Sequence, residues 1–142
     1  AIALLKTDTE FSGGKAIPLS VSAPFHCRLM RPARDRMAQL FSEMKHKPAR
    51  LEVPYFPNRT GRPSQEPGLV LELLVEQIDH PVLWKQSVVE MMNRGFVRGV
   101  EFGPGKVLAG LSKRVEKITG KPLPVLSVGD SAALKNLEGT HA

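Results

Sequence analysis

Apolar and polar positions change their spacing several times along this chain, and each change marks an element. "AIALLK", Ala1 to Lys6, has the apolar density of a helix and runs into a polar loop at Gly13-Gly14. "KAIPLSVSAPF" then alternates around Ile17, Leu19 and Val21, the two-residue period of a strand. Pro18 and Pro24 fit such a strand only near its edge or end. From Met30 the apolar positions are Met30, Ala33, Met37, Leu40, Phe41 and Met44, which is helical spacing. Pro32 suits the first turn of that helix and Pro48 its stop.

"RLEVPYF", Arg50 to Phe56, predicts a second strand. The stretch after it, "PNRTGRPSQEPG", carries three prolines and two glycines. It is long for a connection, which fits a functional loop or a disordered lid. Leu69 to Ile78 predicts an apolar-rich helix ended by "DHP", and Val82 to Asn93 another, closed by Gly95 where a left-handed residue commonly ends a helix. "FVRGVEF" predicts a third strand, turned by Gly103-Pro104-Gly105. Lys106 to Ile118 follows as a helix with Val107, Leu108, Leu111, Val115 and Ile118 on one face and Gly120 as its cap. "PLPVLSV" predicts a fourth strand, and Asp130 or Ser131 can cap a last short helix through Leu137. There is no internal repeat and no low-complexity tract.

Strands that alternate with helices imply βαβ units and an α/β fold with a mostly parallel sheet. Ligands in such sheets sit beyond the carboxyl ends of the strands. His26 and the Gly-Pro-Gly turn are both expected at such ends and could face one crevice.

Composition narrows the class. The 142 residues are 42% hydrophobic and 24% charged, the profile of a globular domain with enough chain for a sizeable core. The apolar runs are far short of the ~20 residues that cross a bilayer, and no signal peptide is recognisable. A single Cys excludes an internal disulfide framework and fits a reducing, cytoplasmic setting. The net charge of +6 suits an anionic partner or simply a solvated basic surface, with local groups at Lys45, Lys47 and Arg50 and at Lys113, Arg114 and Lys117. Aromatics are only 6%, so stacking platforms for nucleic acid are scarce. The first residues lack a Met and read as the middle or end of a helix, the pattern expected of a processed chain, a fragment or one piece of a longer protein.

Four features carry candidate chemistry. His26 could be a general base, since an imidazole takes up and returns a proton near neutrality, or a histidine whose nitrogens are merely satisfied by backbone. Cys27 could be a nucleophile, but neighbours on an extended strand face opposite ways, which favours a buried structural thiol. "EFGPGKVL" places a Gly-rich turn and a Lys before a helix and could hold an anion, although it meets neither G-x-x-x-x-G-K-[ST] nor G-x-G-x-x-G. "GDSAA", Gly129 to Ala133, approaches the G-x-S-x-G elbow but lacks its second Gly, so capping explains Asp130 and Ser131 better. His26, Cys27, His46, His80 and His141 show no zinc-ligand spacing.

Three segments together resemble a known family: "PLSVSAPFHCRLMRPARDRMAQLF", "VEQIDHPVLWKQSVVEMMNRGFVRGVEFGPGKVLAGLSKR" and "VLSVGDSAAL". They are similar to the C-terminal half of the malonyl-CoA:acyl carrier protein transacylases, over nearly the whole chain. The resemblance implies a large subdomain related to the α/β hydrolases and a small ferredoxin-like subdomain inserted in it. Residues 1–22 would then end the small subdomain, and residues 23–142 would form the C-terminal part of the large one. It also implies an active serine that takes malonyl from coenzyme A and passes it to the phosphopantetheine thiol of acyl carrier protein, in fatty acid biosynthesis.

By the same resemblance His26 is the catalytic base, and Gln77 is the residue whose backbone carbonyl orients the imidazole, as an acidic residue does in Ser-His-Asp triads. Phe25 matches a position tied to extender choice in related polyketide acyltransferases, where a bulky Phe accompanies malonyl. No metal is implied, and no cofactor beyond malonyl-CoA as substrate. The family's Gly-His-Ser-Leu-Gly elbow, Gly-Gln-Gly oxyanion segment and carboxylate-pairing Arg do not occur here, so the expected partners are malonyl-CoA, acyl carrier protein and the missing N-terminal half, with neither nucleic acid nor membrane. The alternatives are a non-catalytic module that docks the acidic carrier protein and a trans-acting polyketide acyltransferase. The module would expose a long sheet edge, which is a liability.

Overall fold

Pro32 lies in the first turn of α1 (Arg31–Ser42), where its missing N–H costs no hydrogen bond. A single 3₁₀ turn, Arg28–Met30, leads into this helix. The structure is a computed structural model and describes residues 22–45, 49 and 51–138. The helix expected at Ala1 to Lys6, the part of the expected Lys15 to Phe25 strand up to Val21, and the segment 1–22 apart from Ser22 lie outside the described residues.

The described elements continue with α2 (Pro67–Glu76), α3 (Trp84–Asn93), β1 (Gly99–Phe102), α4 (Val107–Thr119), β2 (Val125–Val128) and α5 (Ser131–Glu138). α1 lies against α2, α3 against α4, and both α4 and α5 against β2. β1 and β2 pair in parallel with Gly99 opposite Val125 and Phe102 opposite Val128. β1, α4 and β2 therefore form the βαβ unit that the alternating pattern called for.

Among the described residues, the main buried cluster sits at α3 and α4. Val88, Val115 and Leu123 are buried together, and Trp84, Val89 and Met92 pack against them. α4 ends at Gly120, whose φ of 69° is the left-handed conformation that Gly adopts without penalty. Its N–H donates to the Glu116 carbonyl at 2.8 Å, while the Glu116 side chain accepts from Leu123 N at 2.7 Å. One residue thus fixes both the end of α4 and the lead into β2. Phe56 and Phe96 meet edge to face at 6.0 Å and join the segment before α2 to the one before β1.

Several expectations are corrected. Arg50 to Phe56 does not form a strand: from Leu51 onward the only ladder contact there is one antiparallel bridge, Tyr55 to Ser64. Pro54 and Pro57 flank it, and neither carries an N–H for a ladder. The strand expected to run to Phe25 is not extended at its end, because Phe25 N donates to the Ala23 carbonyl at 2.9 Å in a tight turn. On α4 the buried line is Ala109, Ser112 and Val115, while Val107 and Ile118 are 69% and 64% exposed. Periodicity located an apolar stripe there, but the neighbours cover the adjacent line of smaller residues.

The proline-rich connection is ordered and packed. Pro57 is fully buried, its carbonyl accepts from Gly61 N at 3.0 Å, and Gly61 has a φ of 64°. A Cβ on Gly61 would lie 2.9 Å from the Gln86 Cβ and 3.2 Å from Ser87 N. Gly61→Ala is therefore expected to destabilise the protein by roughly 2 kcal/mol, from left-handed strain plus displacement of α3. Equilibrium denaturation checks it, and an unchanged midpoint would show that the turn relaxes freely.

Candidate active site

Backbone geometry sets the direction of His26. Its φ of 58° makes it the one non-glycine residue with left-handed backbone among those described, a conformation uncommon outside glycine and found preferentially where function constrains the chain. Cys27 returns to extended backbone and the 3₁₀ turn follows. The imidazole, in an exposed residue, lies across from the turn after α2, where Nδ1 is 2.9 Å from the Gln77 carbonyl oxygen. A carbonyl only accepts, so Nδ1 carries a proton and donates, and in the neutral ring the lone pair is on Nε2.

The turn that offers this carbonyl is held from two sides. The Gln77 side-chain oxygen accepts from Asn58 Nδ2 at 2.7 Å, and the Asn58 carbonyl accepts from Leu83 N at 2.8 Å. On the other side stands Asp79, buried at 6% exposure. Its Oδ2 accepts from Arg34 Nη1 at 3.3 Å and lies 3.7 Å from Arg31 Nε. Burial pushes the Asp79 carboxyl up, but the Arg34 hydrogen bond and the charges of His80 and Arg34 outweigh it and hold it below the usual carboxylate range.

The other candidates resolve differently. Cys27 is half-buried rather than buried, and its thiol donates to the Pro24 carbonyl at 3.1 Å. Strand alternation does not separate it from His26, because His26 is not extended. Phe25 is 54% exposed beside the histidine. Asp130 caps α5 by accepting from Ala133 N at 2.8 Å, which accounts for "GDSAA". Among the described residues no group of three or more His, Cys, Asp or Glu gathers in a way that could hold a metal, and no helix is long and apolar enough to cross a membrane.

The helix-start donors at "EFGPGKVL", which could have held an anion, are taken by the protein itself. Glu101, buried on β1, accepts from Leu108 N at 2.9 Å and from Ala109 N at 3.0 Å, the free donors at the start of α4. Ser127 Oγ on β2 adds a third bond at 3.2 Å. The backbone hydrogen bond from Leu108 is the main reason the Glu101 carboxyl sits below its ordinary range, with Ala109, Ser127 and Val107 adding to it against the opposing effect of burial. Asn58, Asp79 and Glu101 were not singled out from the sequence. Only Glu101 left a readable signal, an acidic side chain just ahead of a glycine turn and a helix start.

No family model matches the chain. A malonyl CoA-acyl carrier protein transacylase of Bacillus subtilis is 37% identical over 108 residues, 76% of this chain and 33% of the relative. A solved malonyl-CoA:acyl carrier protein transacylase from Xanthomonas oryzae pv. oryzae superposes with a TM-score of 0.78 at 31% identity, covering 98% of this chain and 41% of that one. The chain is similar to one part of the malonyl CoA-acyl carrier protein transacylases. A further structural neighbour, solved as a type II polyketide synthase acyl-carrier protein in complex with its malonyl-transacylase, has a TM-score of 0.73 at 33% identity over 85% of this chain and 37% of that one. The chain spans about a third of the length of the curated transacylases it matches. Its fold is that of part of an α/β acyltransferase, as the family resemblance implied.

Proposed function

We propose that this chain supplies the histidine-bearing part of a malonyl-CoA:acyl carrier protein transacylase, the C-terminal portion of the enzyme, with the nucleophilic serine on another part. The observation that carries this reading is the 2.9 Å contact from His26 Nδ1 to the Gln77 carbonyl, which leaves Nε2 as a base in an exposed residue. The transacylase relatives support the same reaction. In the first half-reaction Nε2 takes the serine hydroxyl proton as the serine oxygen attacks the malonyl thioester. The tetrahedral intermediate collapses to the malonyl ester, and the imidazolium returns the proton to the departing coenzyme A thiolate. In the second half-reaction Nε2 takes the proton of the carrier's phosphopantetheine thiol. That sulfur then attacks the ester, and the serine oxygen leaves with the proton from His26. Gln77 keeps the donor nitrogen fixed through both halves, the orienting role of the third member of a triad.

The test is transfer of labelled malonyl from malonyl-CoA to a carrier protein by the complete enzyme. Loading is expected on carrier with phosphopantetheine and none on carrier without it; a complete enzyme that hydrolyses malonyl-CoA but never loads the carrier would end the proposal. We place this reaction in the cytoplasm and in fatty acid synthesis. The neighbour solved with a polyketide carrier favours a second reading, a polyketide acyltransferase. Faster loading of a polyketide carrier than of a fatty acid carrier would select it.

Phe25, beside the base and largely exposed, is proposed to close the space next to the malonyl Cα. Phe25→Ser is expected to lower the preference for malonyl-CoA over methylmalonyl-CoA by roughly tenfold in kcat/KM ratio, the scale of one methyl group in an apolar pocket. An unchanged ratio would remove Phe25 from the specificity site.

A further inference from the structure

We propose that Asp79 is a positioning residue for His26, holding the Gln77 carbonyl in register with the imidazole by clamping the turn after α2 onto the start of α1. The proposal rests on the reading of His26 as the base. Its ground is that two tethers join the same two pieces of chain. One is the imidazole-to-carbonyl hydrogen bond between His26 and Gln77. The other is the Asp79 carboxylate, two residues beyond Gln77, reaching Arg34 at 3.3 Å and Arg31 at 3.7 Å in the first turn of α1. Only Cys27 and the short 3₁₀ turn lie between His26 and Arg31.

Burial makes the clamp directional. The Asp79 side chain is 3% exposed, and a charge taken that far from water is held only by its partners. Its Oδ1 lies 2.8 Å from His80 Nδ1, which also lies 2.8 Å from the Glu76 carbonyl. The carboxylate joins the turn after α2 to α1 through Oδ2 alone, since Oδ1 has no hydrogen-bond partner. Without the carboxylate, Arg34 keeps only its exposed contact with Asp35 at 3.6 Å, and the turn that offers the Gln77 carbonyl keeps only its Asn58 tether. A shift of about 1 Å in a catalytic group is enough to cost up to 10²-fold in rate.

The experiment is a mutant cycle in the complete enzyme. Asp79→Ala and Asp79→Asn are each made alone and with His26→Ala, and kcat and KM for malonyl transfer are measured. Asp79→Ala is expected to lower kcat by roughly tenfold with KM little changed, Asp79→Asn less, and neither to add to the loss in the His26→Ala background. An equal fractional loss in both backgrounds, or no loss with His26 present, overturns the proposal. ¹⁵N NMR of the His26 ring reads the positioning independently of turnover. The wild type is expected to show a single Nδ1–H tautomer and the Asp79 variants a mixture, and an unchanged ring signal overturns the proposal. If Asp79→Ala does not fold, Asp79→Asn is read by the same criteria. A fully active His26→Ala enzyme ends the base assignment, while the NMR result still decides whether Asp79 positions the ring.

Discussion

Replacing His26 with Ala in the complete enzyme is expected to lower malonyl transfer by roughly 10²–10⁴-fold, the usual worth of a positioned general base. Both half-reactions should slow, because in the proposed mechanism the same Nε2 takes a proton in each and returns it in each. Burst measurements separate them: formation of the malonyl ester from malonyl-CoA, then its discharge to the carrier thiol. The left-handed backbone at residue 26 complicates a simple alanine result, since Ala tolerates a φ of 58° poorly. His26→Asn is the matched control, because Asn enters that conformation readily and cannot act as the base. Its loss should equal that of His26→Ala. Gln77→Ala gives the contrast, since it keeps the backbone carbonyl that accepts from Nδ1 and removes only the bond to Asn58. Its loss should be far smaller than that of His26→Ala. Near-normal transfer by both His26 variants would take the base away from this chain altogether.

What the sequence disclosed and what it concealed follow from the range of the interactions. Helix positions came through well because their signals are local: Pro32 in a first turn, Gly95 and Gly120 after last turns, and apolar spacing between. The strand expected at Arg50 to Phe56 failed because its apolar content looked like a ladder strand, whereas pairing depends on a neighbour far along the chain. The side of α4 that is covered was lost for the same reason, since Ala109 and Ser112 are too small to register in a hydrophobic pattern.

At the site, His26 was visible as a titratable residue at the end of an apolar run, but its left-handed backbone was not. Gln77 contributes a backbone oxygen, which any residue type has, so only resemblance to the family pointed to it. Asn58 and Asp79 act across gaps of 19 and 45 residues, and no local pattern announces such bonds.

Glu101 shows how far such a bond can redirect a local reading, and it yields the second large effect. A glycine turn before a helix offers free N–H groups, which could hold an external anion. The chain supplies its own anion instead, so the carboxylate joins β1, the start of α4 and Ser127 on β2 in one cluster. Glu101→Gln is expected to lower the melting temperature by several degrees. The amide oxygen can still accept one of the two backbone N–H groups, but its NH₂ meets the other as donor against donor. The negative charge that favoured the helix N-terminus is also gone. The pH dependence separates charge from shape. The folded Glu101 carboxyl lies below its ordinary range, so in acid the unfolded chain binds this proton first. The stabilisation is complete above the ordinary carboxylate pKa and is lost as pH falls through the folded value. The gap between wild type and Glu101→Gln should therefore be widest at neutral pH and close progressively in acid. A gap that stays constant down to strong acid would show that packing of the side chain, rather than its charge at the start of α4, ties the βαβ unit together.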